Sequence, residues 1–398
     1  MNFTFSSKDY SNYFQSAFRF RWLRPQNLQE QLRAFRNHPD LKFATIGNST
    51  EGRKIESIEF GEGAITVCLW SQMHGNEPTA TMALIDLLAF LTANDDYNAL
   101  RDKLKKSLKL SFIPMLNPDG SEAFTRVNAL GIDLNRDARS QASLEMGHFV
   151  RHIKVFKPQW AFNLHDQRAI FSVGATSKPA TFSFLAAAAS KEEPNNKARK
   201  RAMTLIAHLA ELVETELPKH VAKYSDAFYP RALGEHFMEN DIPCVLIESG
   251  AHPKDDYRDT ARRLNFLSLL YSLELLADGL VANSKRIEEY HQIPENEKNH
   301  LDLILRNCEL QRGETTTKAD IGLMRKEVLD HETDQLQTHF ILEAVGDLSE
   351  QYGLVEQMGG VLNADTFALK LQEPAHFILQ IEERQTLIFE KGLTENLL

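Results

Sequence analysis

The chain has 398 residues, with 45 Lys plus Arg against 55 Asp plus Glu and a formal net charge of −10. That length accommodates two domains, and the acid excess argues against a nucleic-acid partner. Hydrophobic residues at 42% exclude wholesale disorder, and three scattered cysteines (Cys68, Cys244, Cys308) exclude a disulfide scaffold.

At the N-terminus every short apolar run is broken by a polar or charged residue, and no later segment approaches ~18 apolar residues. The expectation is a cytoplasmic protein with no membrane partner. Short apolar, partly β-branched runs predict strands at Lys54–Phe60, Ala64–Ser71, Leu108–Met115, Trp160–His165 and Cys244–Glu248. Helical spacing appears between them at Pro78–Ala93, where Pro suits the first turn, and at Ala198–Glu216 and Tyr257–Val281. The Ala186–Ala189 patch reads as helix surface. This alternation predicts an α/β fold with a mostly parallel, mixed central sheet flanked by helices. Such sheets bind ligands beyond the carboxyl ends of their strands.

The composition then shifts. Residues 285–398 carry 11 basic and 22 acidic side chains, whereas residues 1–284 have a net charge of +1. Polar Ser284–Asn299, with Pro294, reads as a linker. The expected organisation is a domain over 1–284 and a smaller, acidic, β-rich C-terminal domain over 285–398. Strands are expected there at His339–Val345, Thr366–Leu371 and His376–Ile381, with one helix near Leu301–Leu310. This second domain is either a solvated appendage or a lid or dimerisation module, so a homo-oligomer through it stays open.

Polar clusters follow the predicted strand ends. Met73-His74-Gly75-Asn76-Glu77-Pro78 follows the second strand and Asn117-Pro118-Asp119-Gly120 the third. Arg126 and Gly131-Ile132-Asp133-Leu134-Asn135-Arg136-Asp137 come next, then His165-Asp166-Gln167, and finally Glu248. On a turn entering a helix, His74 and Glu77 can converge on one ion. His165 from a distant strand completes two histidines and a carboxylate, a ligand set typical of catalytic zinc with one position open to water. Two other HxxE pairs, His208-Glu211 and His236-Glu239, lie in helix-like stretches and read as ordinary helical histidines. Asn117–Gly120 reads as a structural turn. Asp119 or Asp166 is a candidate for orienting a ligand histidine.

In this order, HxxE, NPDG, Arg, GxDLNR, LH and a late strand-end Glu, the chain resembles the zinc carboxypeptidase (carboxypeptidase A-like, funnelin) metallopeptidase family over roughly residues 45–280. The resemblance implies one zinc ion held by His74, Glu77 and His165. Glu248 matches the general base that activates the zinc-bound water. Arg126 matches the arginine that polarises the scissile carbonyl. Asn135 and Arg136 match the pair that grips the terminal carboxylate. Tyr229, with Tyr224 as an alternative, is the candidate for a tyrosine brought over bound substrate. Asp137 stands where many family members have asparagine.

The implied activity is hydrolysis of a C-terminal peptide or peptide-like amide bond of a peptide substrate. The related aspartoacylase and succinylglutamate desuccinylase branch shares HGNE, DLNR and a small β-rich C-terminal domain. A zinc amidohydrolase or deacylase acting on small N-acyl amino acids is therefore the alternative. The NPDG turn and the long Ile170–Tyr257 region favour the peptidase. A non-catalytic protein that kept the fold would be expected to have lost a ligand or the base, and all four residues are present.

Overall fold

The computed structural model describes residues 3–225, 227, 229–330, 332–363, 369–382 and 385–394. By internal contacts the chain divides into two compact units. The first comprises Met1–Gln167, Ala180–Ala251 and Asp255–Asn296, and the second Arg168–Pro179, His252–Lys254 and Glu297–Leu398.

From the N-terminus come α1 (Pro25–Leu32), β1 (Leu41–Asn48), β2 (Lys54–Phe60) and β3 (Ile65–Trp70). Next are α2 (Thr79–Thr92), α3 (Asn98–Ser107), β4 (Leu108–Ile113) and the short α4 (Pro118–Glu122). Then follow α5 (Leu144–Phe156), β5 (Trp160–Asp166), β6 (Phe171–Val173), β7 (Phe182–Ala186), α6 (Lys197–Glu216) and β8 (Val221–Lys223). The run continues through α7 (Leu233–Glu239), β9 (Cys244–Ser249), α8 (Asp259–Ala277) and α9 (Ser284–Gln292).

The first unit is built on an eight-stranded sheet in the order β1-β2-β4-β3-β5-β9-β7-β8. Its centre, β4-β3-β5-β9, is parallel, and β1, β2 and β7 pair antiparallel. Both faces of that centre are covered by helices, so β3 (ITVCLW) and β5 (WAFNLHD) are nearly continuous buried runs. Phe149 of α5 and Phe237 of α7 pack on Trp70, each with ring centroids 5.1 Å away. The α2, α6 and α8 helices pack together against the opposite face. Fourteen of the nineteen residues of α8 are buried, as expected for a core helix.

An N-terminal segment closes this unit. Asp86 of α2 and Arg262 of α8 form a fully buried ion pair at 2.6 Å. Tyr10 Oη donates to Asp86 at 2.8 Å, Gln15 N donates to it at 2.9 Å, and Arg262 donates to the Phe18 carbonyl at 2.7 Å. Burial pushes the Asp86 carboxyl up, and the Arg262 contacts oppose that push.

The polar stretch expected as a linker is helical over Ser284–Gln292 and packs on α6. Its Asn283 side chain caps the Arg286 amide at 3.2 Å, and buried Tyr290 accepts from the Ala186 amide at 3.2 Å through its hydroxyl. The Ala186–Ala189 patch is not helix surface: it is buried at and after the end of β7.

The remaining strands are β10 (Asn296–Lys298), β11 (His300–Arg312), β12 (Thr315–Asp330), β13 (Gln335–Gly346), β14 (Tyr352–Met358), β15 (Val361–Asn363), β16 (Phe377–Glu382) and β17 (Gln385–Phe389). The second unit holds a seven-stranded sheet, β13-β12-β11-β15-β16-β17, with β14 on β11, and β6 pairs with β10. The helix expected near Leu301–Leu310 is part of β11. Leu303 and Leu305 enter one apolar cluster and Leu301 and Ile304 another. Burial on both faces makes an apolar run that imitates helical spacing. His339–Val345 lies within β13, and His376–Ile381 matches β16 closely. Of the expected Thr366–Leu371 strand, residues 366–368 lie outside the described residues, and 369–371 are not strand. Among the described residues no helix is long and apolar enough to cross a membrane.

Candidate metal centre

The strand ends bring the polar clusters together. His74, Glu77 and His165 are all buried, and one ligand atom from each lies within 4.8 Å of the others. The turn between β3 and α2 delivers His74 and Glu77. Gly75 there has no room for a side chain: an added Cβ would lie 1.9 Å from the Gly120 carbonyl carbon. Asn117 buttresses the turn by donating to the Met73 carbonyl at 3.2 Å, while its own side chain accepts from the Gly120 amide at 2.9 Å. The NPDG segment is thus structural: Asn117 caps the short helix α4, which starts at Pro118. His165 arrives from the end of β5.

His74 Nδ1 lies 2.8 Å from Glu77 Oε1, and His165 Nδ1 lies 2.8 Å from Glu77 Oε2. The two Nδ1 atoms are 3.1 Å apart. His74 Nε2 donates to Asp133 Oδ1 at 3.1 Å; burial opposes a charge on this imidazole, but the Glu77 and Asp133 carboxylates raise its pKa. Two imidazole nitrogens and a carboxylate aimed at one point fit a divalent cation, and the donor set suits zinc. Burial would raise the Glu77 carboxyl, but His74 and His165 hold it far below the usual range. Burial lowers His165.

Asp133 is the residue that the sequence reading missed. It lies inside the GxDLNR segment, where the Asn135-Arg136 pair drew attention. Besides holding His74, it accepts from Arg126 Nε at 3.1 Å and from the Asn135 amide at 2.9 Å. Neither of the expected orienting carboxylates touches a ligand histidine through its side chain. Asp119 accepts from the Ser49 hydroxyl at 2.6 Å and the Glu51 amide at 2.9 Å. Asp166 accepts from the Thr79 hydroxyl at 2.7 Å, and its backbone amide donates to Glu77 Oε2 at 3.2 Å.

Glu248 sits beside His165 in the parallel β5–β9 register. Register partners on neighbouring strands face one side, so both side chains point to the α5 and α7 face. The Glu248 carboxyl is pushed well above the usual range by burial and by the Glu77 and Asp166 carboxylates. Arg126 reaches the same centre, with one guanidinium nitrogen 3.1 Å from His74 Nδ1 and 3.5 Å from Glu77 Oε1.

Asn135 and Arg136 form a single 3-10 turn with Leu134. Asn135 Oδ1 accepts from the Leu233 amide at 3.0 Å, tying this turn to α7 and leaving the side-chain N–H groups as donors. Arg136 is exposed and donates to the Asn135 carbonyl at 2.9 Å. Asp137 points away: it accepts from the Ala142 and Ser143 amides, each at 2.9 Å, and from the Ser140 and Ser143 hydroxyls. Tyr229 is 59% exposed on the segment before α7. The Tyr224 hydroxyl donates to Gln167 at 2.9 Å. His208 and His236 lie in α6 and α7, and neither joins a metal-competent group among the described residues.

Residues 28–198 match the family model described as zinc carboxypeptidase. Carboxypeptidase 2 of Trichophyton rubrum is 28% identical over 132 residues, covering 33% of this chain and 24% of that protein. Carboxypeptidase D of Rattus norvegicus is 30% identical over 142 residues, covering 31% of this chain and 10% of that protein. This chain therefore spans about a quarter or less of the length of these relatives. A solved metallo-carboxypeptidase from Burkholderia cenocepacia superposes with a TM-score of 0.52 at 17% identity, covering 64% of this chain and 69% of that one, a likeness of fold. Over residues 28–198, then, the chain is similar to the zinc carboxypeptidases.

Proposed function

We propose that the chain is a zinc metallocarboxypeptidase that hydrolyses the C-terminal peptide bond of a peptide. The observation that carries this reading is the convergence of His74, Glu77 and His165 beside Glu248 and Arg126, with Arg136 exposed on the turn that Asp133 caps. Zinc held by the three ligands supplies a Lewis acid that lowers the pKa of water and polarises a carbonyl.

The remaining work belongs to the chain. Glu248 accepts the proton of the attacking water and delivers it to the departing amine. A carboxyl with a raised proton affinity is suited to both steps. The Arg126 guanidinium, held by Asp133, stabilises the charge that develops on the carbonyl oxygen. Arg136 pairs with the terminal carboxylate, and the Asn135 N–H groups donate to it. Tyr229 covers bound substrate from the segment before α7.

The test is a panel of blocked dipeptides beside N-acyl amino acids. We expect C-terminal residues to be released from the dipeptides, with the activity lost on chelation and restored by zinc. Cleavage of acyl-amino acids without cleavage of dipeptides would favour the deacylase and sink the peptidase reading.

A further inference from the structure

The sheet face that carries His165 and Glu248 holds polar atoms that the proposed chemistry does not use. Side chains alternate along β5, so Asn163 points to the same side as His165. Its register partners are Trp70 on β3 and Leu246 on β9, and Ser183 on β7 is the register partner of Glu248. Asn163 and Ser183 are fully buried. Among the described residues, Asn163 Nδ2 and Oδ1, Ser183 Oγ and Trp70 Nε1 have no hydrogen-bond partner. Four orphaned polar atoms spread across one face of the sheet, from β3 to β7, are costly, because buried polar groups are nearly always paired. On the same face Leu246, Leu185 and Glu248 are only half-buried, so the covering helices leave this area incompletely sealed beside the proposed base.

The chemistry of the orphans indicates what would pair them. An amide offers a donor and an acceptor side by side, and only a group offering both in return uses the two together. A carboxamide does so head to head. A methyl-ended side chain satisfies neither atom, an ammonium uses only Oδ1, and a carboxylate only Nδ2.

We propose that Asn163 and Ser183 recognise the side chain of the residue being released and select one that ends in a carboxamide. This rests on the carboxypeptidase reading and names its substrate class.

The experiment compares blocked dipeptides that differ only in the last residue, Gln, Asn, Leu, Lys or Glu, using zinc-loaded protein. We expect kcat/KM for the better carboxamide substrate to exceed that for Leu, Lys and Glu by about 10-fold or more. Asn163→Leu should lower the carboxamide substrates ~10–100-fold more than the Leu substrate, chiefly through KM, with Ser183→Ala acting in the same direction. A wild-type preference for Leu, Lys or Glu overturns the proposal, as does an Asn163→Leu loss equal across the panel. A second readout is calorimetric binding of free L-glutamine, L-asparagine and L-leucine. If no dipeptide is hydrolysed, yet a carboxamide amino acid binds more tightly than leucine and loses that advantage in Asn163→Leu, the pocket stands and the peptidase reading falls. Equal binding of all three overturns the pocket.

Discussion

Two buried charge clusters in the first unit differ in one respect. Around Asp86 and Arg262, each charge finds its complement: the guanidinium meets the carboxylate, and Tyr10, Gln15 and Phe18 supply the remaining partners. Around His74, Glu77 and His165, two imidazole nitrogens and a carboxylate face one another 2.8–3.1 Å apart, with the Glu248 carboxyl on the adjoining strand. The first cluster is complete from the chain alone. The second is touched by Arg126, and its donor set is one that a divalent cation would complete. Burial of charge is therefore not itself a sign of function; a surplus of acceptors aimed at one point is.

Breaking each cluster should expose that difference. Glu248→Gln should lower kcat roughly 10²–10⁴-fold while leaving bound zinc in place, as measured by single-turnover assay and metal analysis. Arg262→Met should cost about 3–5 kcal/mol in chemical denaturation, because it strands a buried carboxylate, and that loss should appear with or without zinc. Asp133→Asn should weaken zinc affinity about 10–100-fold in a chelator competition.

The smallest effect concerns Asp137. Burial alone would raise its carboxyl, but bonds from Ser140, Ser143 and Ala142 hold it below the usual range. A carboxyl depressed on folding stabilises the protein above its unfolded pKa of about 3.9, and the effect is lost as pH falls through the folded value. Asp137→Asn should therefore be less stable than wild type near pH 7, and the gap should close below about pH 4 in paired melts.

Much of the His74–Glu77–His165 cluster was legible because its residues come in short runs at strand ends. His74 and Glu77 are three apart, and the run before His165 has the apolar content of a buried strand. The Asp86–Arg262 pair was not legible, because its members are 176 residues apart and lie in helices whose apolar spacing reads as ordinary core. Asp133 was overlooked for the opposite reason, lying within a motif whose other members have louder chemistry. In β11, burial on two faces hid the two-residue period, and the polar exterior of α9 hid the buried face that Tyr290 anchors.

The most direct measurement is zinc uptake by equilibrium dialysis, in the wild type and in His165→Ala, with Arg262→Met as the control. We predict about one tightly held zinc per chain in the wild type and in Arg262→Met, and loss of that binding in His165→Ala. A wild-type protein that takes up no zinc, or a His165→Ala protein that binds it equally well, would contradict the account.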